Sequence, residues 1–242
     1  MKRADGRRPD QLRPVKIHPH YVKRPAGSAL IEMGNTRVVC AASIEGGVPR
    51  WMREQHIAGG WITAEYSMLP YATAPRKPRE LARGRPEGRT QEIQRLIGRV
   101  LRTVTDLEKL GDRTVWIDCD VLQADGGTRT AAITGAYVAV MLAMRQLQAE
   151  GVVQEIPVKS CVAAISVGLL DEVPVLDLSY EEDANAAVDM NVVMTDEGQF
   201  VEVQGTGEDA PFTQRQMSAM LKLAREGIAE LTAIQKKVLH QE

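Results

Sequence analysis

The chain has almost no net charge, three cysteines and four histidines, and each shortage removes a class of function. With 30 basic against 32 acidic residues the formal charge is −2 and the pI about 6.1, which excludes a protein that coats nucleic acid through overall positive charge. Any site for a polyanion must be a local patch. Cys40, Cys119 and Cys161 lie far apart in apolar stretches, so neither a disulfide framework nor a zinc cluster is expected, and buried thiols in a reducing cytoplasm fit best. His18, His20, His56 and His240 occupy peripheral stretches and no G-x-S-x-G elbow exists, so a Ser-His-Asp nucleophile cannot be assembled and histidine ligation of a metal is not expected. A Walker A loop is absent, so nucleoside triphosphate binding is not implied. The basic opening MKRADGRRPDQLRP lacks a following apolar region, and no run approaches the roughly 18 apolar residues of a membrane span. A soluble, cytoplasmic protein with no membrane partner is the expectation.

What is present is enough to bury a core: 242 residues, 44% hydrophobic, which reads as one compact domain over 1–242. Alternation at Ala29 to Met33, the Gly34-Asn35 turn and the β-rich run Thr36 to Ser43 predict a hairpin. WITAEYSMLP is an apolar stretch, and residues 71–88 read as a long loop. Thr90 is placed to cap a helix carrying Ile93, Leu96, Ile97, Val100, Leu101 and Val104 on one face, ending before Gly111. Thr114 to Leu122 alternates as a strand, and Thr130 to Leu147 reads as a helix buried on most sides. Strand patterns at 162–169, 173–178, 188–194 and 200–204 form a meander, and Thr213 caps a closing amphipathic helix. The order implies an α+β fold, a two-layer mixed sheet with packed helices.

Three segments carry chemistry. In ADGGTRTAAITGA, Gly126 and Gly127 precede Thr128 and Arg129 where a strand hands over to a helix. Glycine permits close backbone approach, a helix N-terminus favours an anion, and arginine offers a planar fork for phosphate. A capped Gly turn with a solvated arginine would have the same letters. Arg89 sits at a second helix start. Between Arg76 and Arg102 nine basic residues face three glutamates, a net +6, and Arg76, Lys77, Arg79, Arg83 and Arg85 lie in the loop, suited to gripping an RNA backbone or simply to solvation. Finally, LDLSYEEDANAAVDMN holds Asp177, Asp183 and Asp189. If 173–178 and 188–194 pair around a turn near Asp183, the three carboxylates converge as Mg²⁺ ligands, or as neighbours that raise one carboxyl toward a general acid. A solvated acidic hairpin is the plainer reading.

Taken together, GRTQEIQRLIGR, WIDCDVLQADGGTRTAAITGAY and VDMNVVMTDEGQFVEVQGTGE closely resemble the signature segments of the bacterial ribonuclease PH family. LRPVKI, GNTRVVCAASIE and GGWITAEYSMLP extend the likeness over almost the whole chain. The resemblance implies the fold shared with ribosomal protein S5 domain 2 and a homo-oligomer, a hexameric ring of dimers. It further implies reversible, phosphate-dependent 3′→5′ trimming of tRNA and other RNA, with inorganic phosphate as co-substrate. Phosphate would be held by Arg89, Gly127, Thr128 and Arg129, with Asp183 and Asp189 serving catalysis or a divalent metal, and the tRNA-gripping residues would fall at Arg76 to Arg85. PEGR stands where a glycine pair often precedes the arginine. A ring subunit that grips RNA without chemistry is the competing expectation, disfavoured by the joint presence of Arg89, Thr128, Arg129, Asp183 and Asp189.

Overall fold

The computed structural model describes residues 3–80, 84–208 and 211–241. Along them run β1 (Val15–Pro19), β2 (Gly27–Met33), β3 (Thr36–Gly46), α1 (Arg50–Glu54), β4 (Trp61–Met68), α2 (Gly88–Thr103) and α3 (Leu107–Leu110). There follow β5 (Arg113–Gln123), α4 (Thr128–Ala149), β6 (Val162–Leu170), β7 (Val173–Leu176), α5 (Tyr180–Ala184), β8 (Val188–Thr195), β9 (Phe200–Gly207) and α6 (Gln214–His240). The α+β character holds, with the strands divided between two sheets. The first has the order β1-β2-β3-β5-β4, mixed because β4 runs parallel to β5. The second, β7-β6-β8-β9, is antiparallel.

Local chemistry accounts for most of these elements. The β2–β3 hairpin turns on Gly34 at φ 57°, with Met33 paired to Thr36. In β5 the period of two points Val115, Ile117, Cys119 and Val121 inward and leaves Trp116, Asp118 and Asp120 outside. The apolar stripe of α2 lies against β4. This helix starts two residues before the expected cap: Glu87 is the N-cap, and the Thr90 hydroxyl instead donates to Glu80 Oε1 at 2.6 Å. It also stops at Thr103, and α3 occupies the stretch before Gly111. Thr213 caps α6 as expected, in a reciprocal box with Gln216.

The central element is α4. It packs on β2 and β3 of one sheet, on β6 of the other and on α6, and is therefore apolar nearly all round. Small residues let it sit close: a Cβ on Gly135 would lie 2.8 Å from Ile31 Cγ2 and 2.9 Å from Cys40 Sγ. Among the described residues it is the one helix long and apolar enough to cross a membrane, and 83% of its apolar window is buried inside the protein. The main apolar core runs unbroken from Ile31 and Ile117 of the first sheet through Ile133 to Ile165 and Val192 of the second.

Candidate active site

The site forms where two long helices begin. The chain leaves β5, turns through Gly126 at φ 71° and Gly127 at φ 64°, and enters α4 at Thr128. Among the described residues no side chain caps this helix, so the first N–H groups of α4 remain free to meet an anion at the positive end of the helix dipole. The α2 start likewise has no side-chain cap, and Arg89, its second residue, is exposed.

Cross-links join the two starts. Arg129 Nη1 donates to Gln204 Oε1 on β9 at 2.6 Å and to Glu92 Oε1 on α2 at 3.3 Å, leaving its side chain only 13% exposed. The buried Tyr66 hydroxyl on β4 donates to Thr128 Oγ1 at 2.8 Å, which leaves the Thr128 proton free to point elsewhere. Burial holds the Tyr66 phenol above its ordinary pKa despite that hydrogen bond and the nearby charges of Arg89 and Arg129.

Asp183 faces the same cations. Burial of its carboxyl first, then the charge of Asp189, push its pKa above the usual 3.8, while Arg89 and Arg129 oppose the rise and Glu208 adds to it. Asp183 as a residue nonetheless keeps contact with solvent. The structure thus brings Arg89, Arg129, Asp183 and Asp189 into one electrostatic neighbourhood around the Gly127–Thr128 turn.

Asp177 does not join them. Strands β7 and β8 do not pair with each other; both pair with β6, and Asp183 lies in helix α5 rather than at a hairpin tip. Asp177 is fully buried, with Oδ1 accepting from Arg13 Nη2 at 2.7 Å and Oδ2 accepting from Arg13 Nε at 3.0 Å and from the Arg13 backbone N–H at 2.8 Å. It is a structural ion-pair partner, not a metal ligand. Among the described residues no group of three His, Cys, Asp or Glu is placed to hold a metal. The remaining pair, Asp183 and Asp189, still fits Mg²⁺, which takes one or two carboxylates completed by water and phosphate oxygens.

In the basic loop Arg76, Arg79 and Arg85 are exposed, whereas Arg83 lies outside the described residues. Lys77 is engaged, 3.3 Å from Glu80 and 2.9 Å from Glu87. Glu80 also accepts from the Glu87 N–H, so the loop is clasped onto the start of α2. Sequence reading missed Tyr66, Gln204 and Arg13, whose partners lie 62, 75 and 164 residues away; no local signal marks them.

An uncapped helix start and two arginines thus face a carboxylate pair, and comparison with known proteins shows the family. The family model described as "3' exoribonuclease family, domain 1" matches residues 11–146, and that of domain 2 matches residues 160–227. The chain belongs to the 3′ exoribonuclease family. Its relatives include the Ribonuclease PH of Moorella thermoacetica, 59% identical over 239 residues and covering 99% of this chain and 95% of that protein. The Ribonuclease PH of Corynebacterium efficiens is 60% identical over 237 residues, covering 98% and 96%. Among solved structures, rice (Oryza sativa) Rrp46 matches with a TM-score of 0.77 at 20% identity, over 98% of this chain and 100% of that one. The Archaeoglobus fulgidus exosome with RNA bound to the active site matches with a TM-score of 0.80 at 22% identity, over 100% and 93%.

Proposed function

We propose that this chain is a phosphate-dependent 3′→5′ exoribonuclease that trims tRNA precursors and other RNA and releases nucleoside diphosphates. The observation that carries the reading is the meeting of the uncapped α4 start, bearing Thr128–Arg129, and of Arg89 in the first turn of α2 with the Asp183–Asp189 pair. Inorganic phosphate is already an oxyanion nucleophile, so the site needs no strong base; it must bring one anion onto another. Gly127, Thr128 and the α4 N-terminus would seat the phosphate, and Arg89 and Arg129 would neutralise charge at the attacking and bridging oxygens. Asp183, holding its proton to a higher pH than an ordinary carboxyl, would donate it to the departing ribose 3′ oxygen. Asp189 would hold Mg²⁺ together with substrate phosphate oxygens, and the bound ion would supply further charge neutralisation. A phosphodiester is exchanged for a phosphoanhydride, so the reaction runs in both directions.

Exposed Arg76, Arg79 and Arg85 would grip the RNA backbone. A homo-oligomer in the cytoplasm, a hexameric ring of dimers, is the proposed form of assembly. The unbroken core supports a single domain over 1–242 in which the two matched segments act together. The test is to incubate the protein with a tRNA precursor carrying extra 3′ nucleotides, with and without inorganic phosphate. Nucleoside diphosphates released only with phosphate are expected; monophosphates released without it overturn the reading. Binding without any turnover would favour a ring subunit devoid of chemistry.

A further inference from the structure

We propose that Arg13 is a positioning residue for the reaction: its guanidinium is the strut that sets the Gly126–Gly127 turn against the segment leading into α5. This deepens the reading above and rests on that turn being the phosphate seat.

Arg13 is 4% exposed and spans two segments that the sequence separates widely. One end is fixed, because its fork grips both oxygens of the fully buried Asp177. Asp177 is itself locked, with its N–H donating to Ser166 O on β6 at 2.8 Å and the next N–H, of Leu178, donating to Ser166 Oγ at 3.1 Å. Two residues later Ser179 caps α5, the helix that carries Asp183. The other end reaches the turn: Arg13 Nη1 donates to Asp125 O, and Nη2 lies 3.5 Å from Gly126 O. Gly126 O also accepts from Thr36 Oγ1 at 2.7 Å.

The consequence follows from peptide geometry. In a planar trans peptide the C=O and the following N–H point in opposite directions, so carbonyls 125 and 126 drawn toward Arg13 and Thr36 turn the N–H groups of Gly126 and Gly127 away from them. Among the described residues neither N–H donates to a protein acceptor. Successive backbone N–H groups left free in a positive-φ turn form an anion concavity. In this arrangement Arg13 would aim the groups that meet phosphate rather than meet it itself, and through Asp177 it ties them to the segment that leads into α5.

The test compares full-length wild type with Arg13→Lys and Arg13→Gln. Lysine keeps the charge and can reach Asp177, but a single ammonium cannot serve the carboxylate and both carbonyls at once. For both variants the KM for inorganic phosphate should rise about ten- to a hundredfold, the scale of an ångström-sized misplacement, while the KM for RNA stays put. The rise in melting temperature that wild type gains from inorganic phosphate should shrink in parallel. If Arg13→Gln does not fold, Arg13→Lys alone decides. An unchanged phosphate KM and phosphate-induced melting shift, with activity lost only in proportion to unfolded protein, would overturn the proposal. A wild type whose turnover ignores phosphate would instead overturn the reading of the seat itself.

Discussion

Alanine at Gly126 would place a methyl carbon 2.5 Å from Leu178 O, 2.6 Å from Ser179 C and 2.7 Å from Tyr180 N, all of them backbone atoms at the entrance to α5. Alanine at Gly127 would meet no backbone, only Arg13 Nη2 at 3.0 Å, itself held by Asp177, and Thr130 Oγ1 at 3.2 Å, so a shift of a few tenths of an ångström accommodates it. Both glycines have positive φ, 71° and 64°, so each substitution costs about 1–2 kcal/mol for the left-handed backbone, less about 0.4–1 kcal/mol regained from a stiffer unfolded chain. Gly127→Ala should therefore lose about 1 kcal/mol. Gly126→Ala adds overlap with backbone that cannot rotate away, about 1–3 kcal/mol more, for a total near 3 kcal/mol. For a chain of this size each 1 kcal/mol lowers Tm by about 2–4 °C, so melting should fall by about 6–12 °C for Gly126→Ala against about 2–4 °C for Gly127→Ala. The assay is calorimetric or dichroic melting of both variants, in phosphate-free buffer so that ligand stabilisation does not mask the difference. Equal losses, or a larger loss at Gly127, would refute the claim that the turn is wedged beneath α5.

Replacing Arg89 or Arg129 with alanine should each cost about 2–4 kcal/mol of transition-state stabilisation, a fall of roughly thirty- to a thousandfold in kcat/KM on RNA with binding little changed; steady-state kinetics decide. Because burial and Asp189 hold the Asp183 proton above its ordinary pKa, degradation should decline as pH rises through that raised value, while synthesis, which needs the same group as a base, should gain. Asp183→Asn should lose both directions, and survival of one would refute a shared proton carrier. In the loop, alanine at Arg76, Arg79 and Arg85 should flatten the dependence of log K for tRNA on log salt by at most about one unit for each arginine removed. Lys77→Ala should leave that slope unchanged, because Glu80 and Glu87 already occupy the ammonium. Salt titrations of both variants separate the two.

The parts of the site legible in the sequence are those whose neighbours in the chain are also their neighbours in space. Gly127, Thr128 and Arg129 lie at one strand-to-helix junction, and Arg89 at one helix start, so spacing and residue type suffice to mark them. The failure at Asp177 has a different origin. Two β-rich runs flanking a polar centre look like a hairpin, but β6 takes β7 on one side and β8 on the other, and nothing in either run announces that third strand. All nine residues of β6 are buried, so it reads as apolar without naming its partners. The misplaced cap at Thr90 is a smaller error of the same kind: a side chain that could cap locally is captured by Glu80 from the preceding loop. Tyr66 and Arg13 are invisible in the sequence because a phenol and a guanidinium gain their meaning from groups that only folding delivers.

The burial of α4 between two sheets bears on how the molecule is made. The helix is complete once residue 149 has been synthesised, with β2 and β3 already available to cover one flank, but β6 and α6, which cover the other, belong to residues 162–240. At ordinary elongation rates those later segments take about 5–20 s to appear, and throughout that interval a helix as apolar as a membrane span stands half covered on the nascent chain. Such a chain is a natural client for chaperones that shield apolar surface during translation. A chain truncated between residues 150 and 160 and released from the ribosome should be retained by such chaperones, and the full-length chain, in which the second sheet closes over α4, should not.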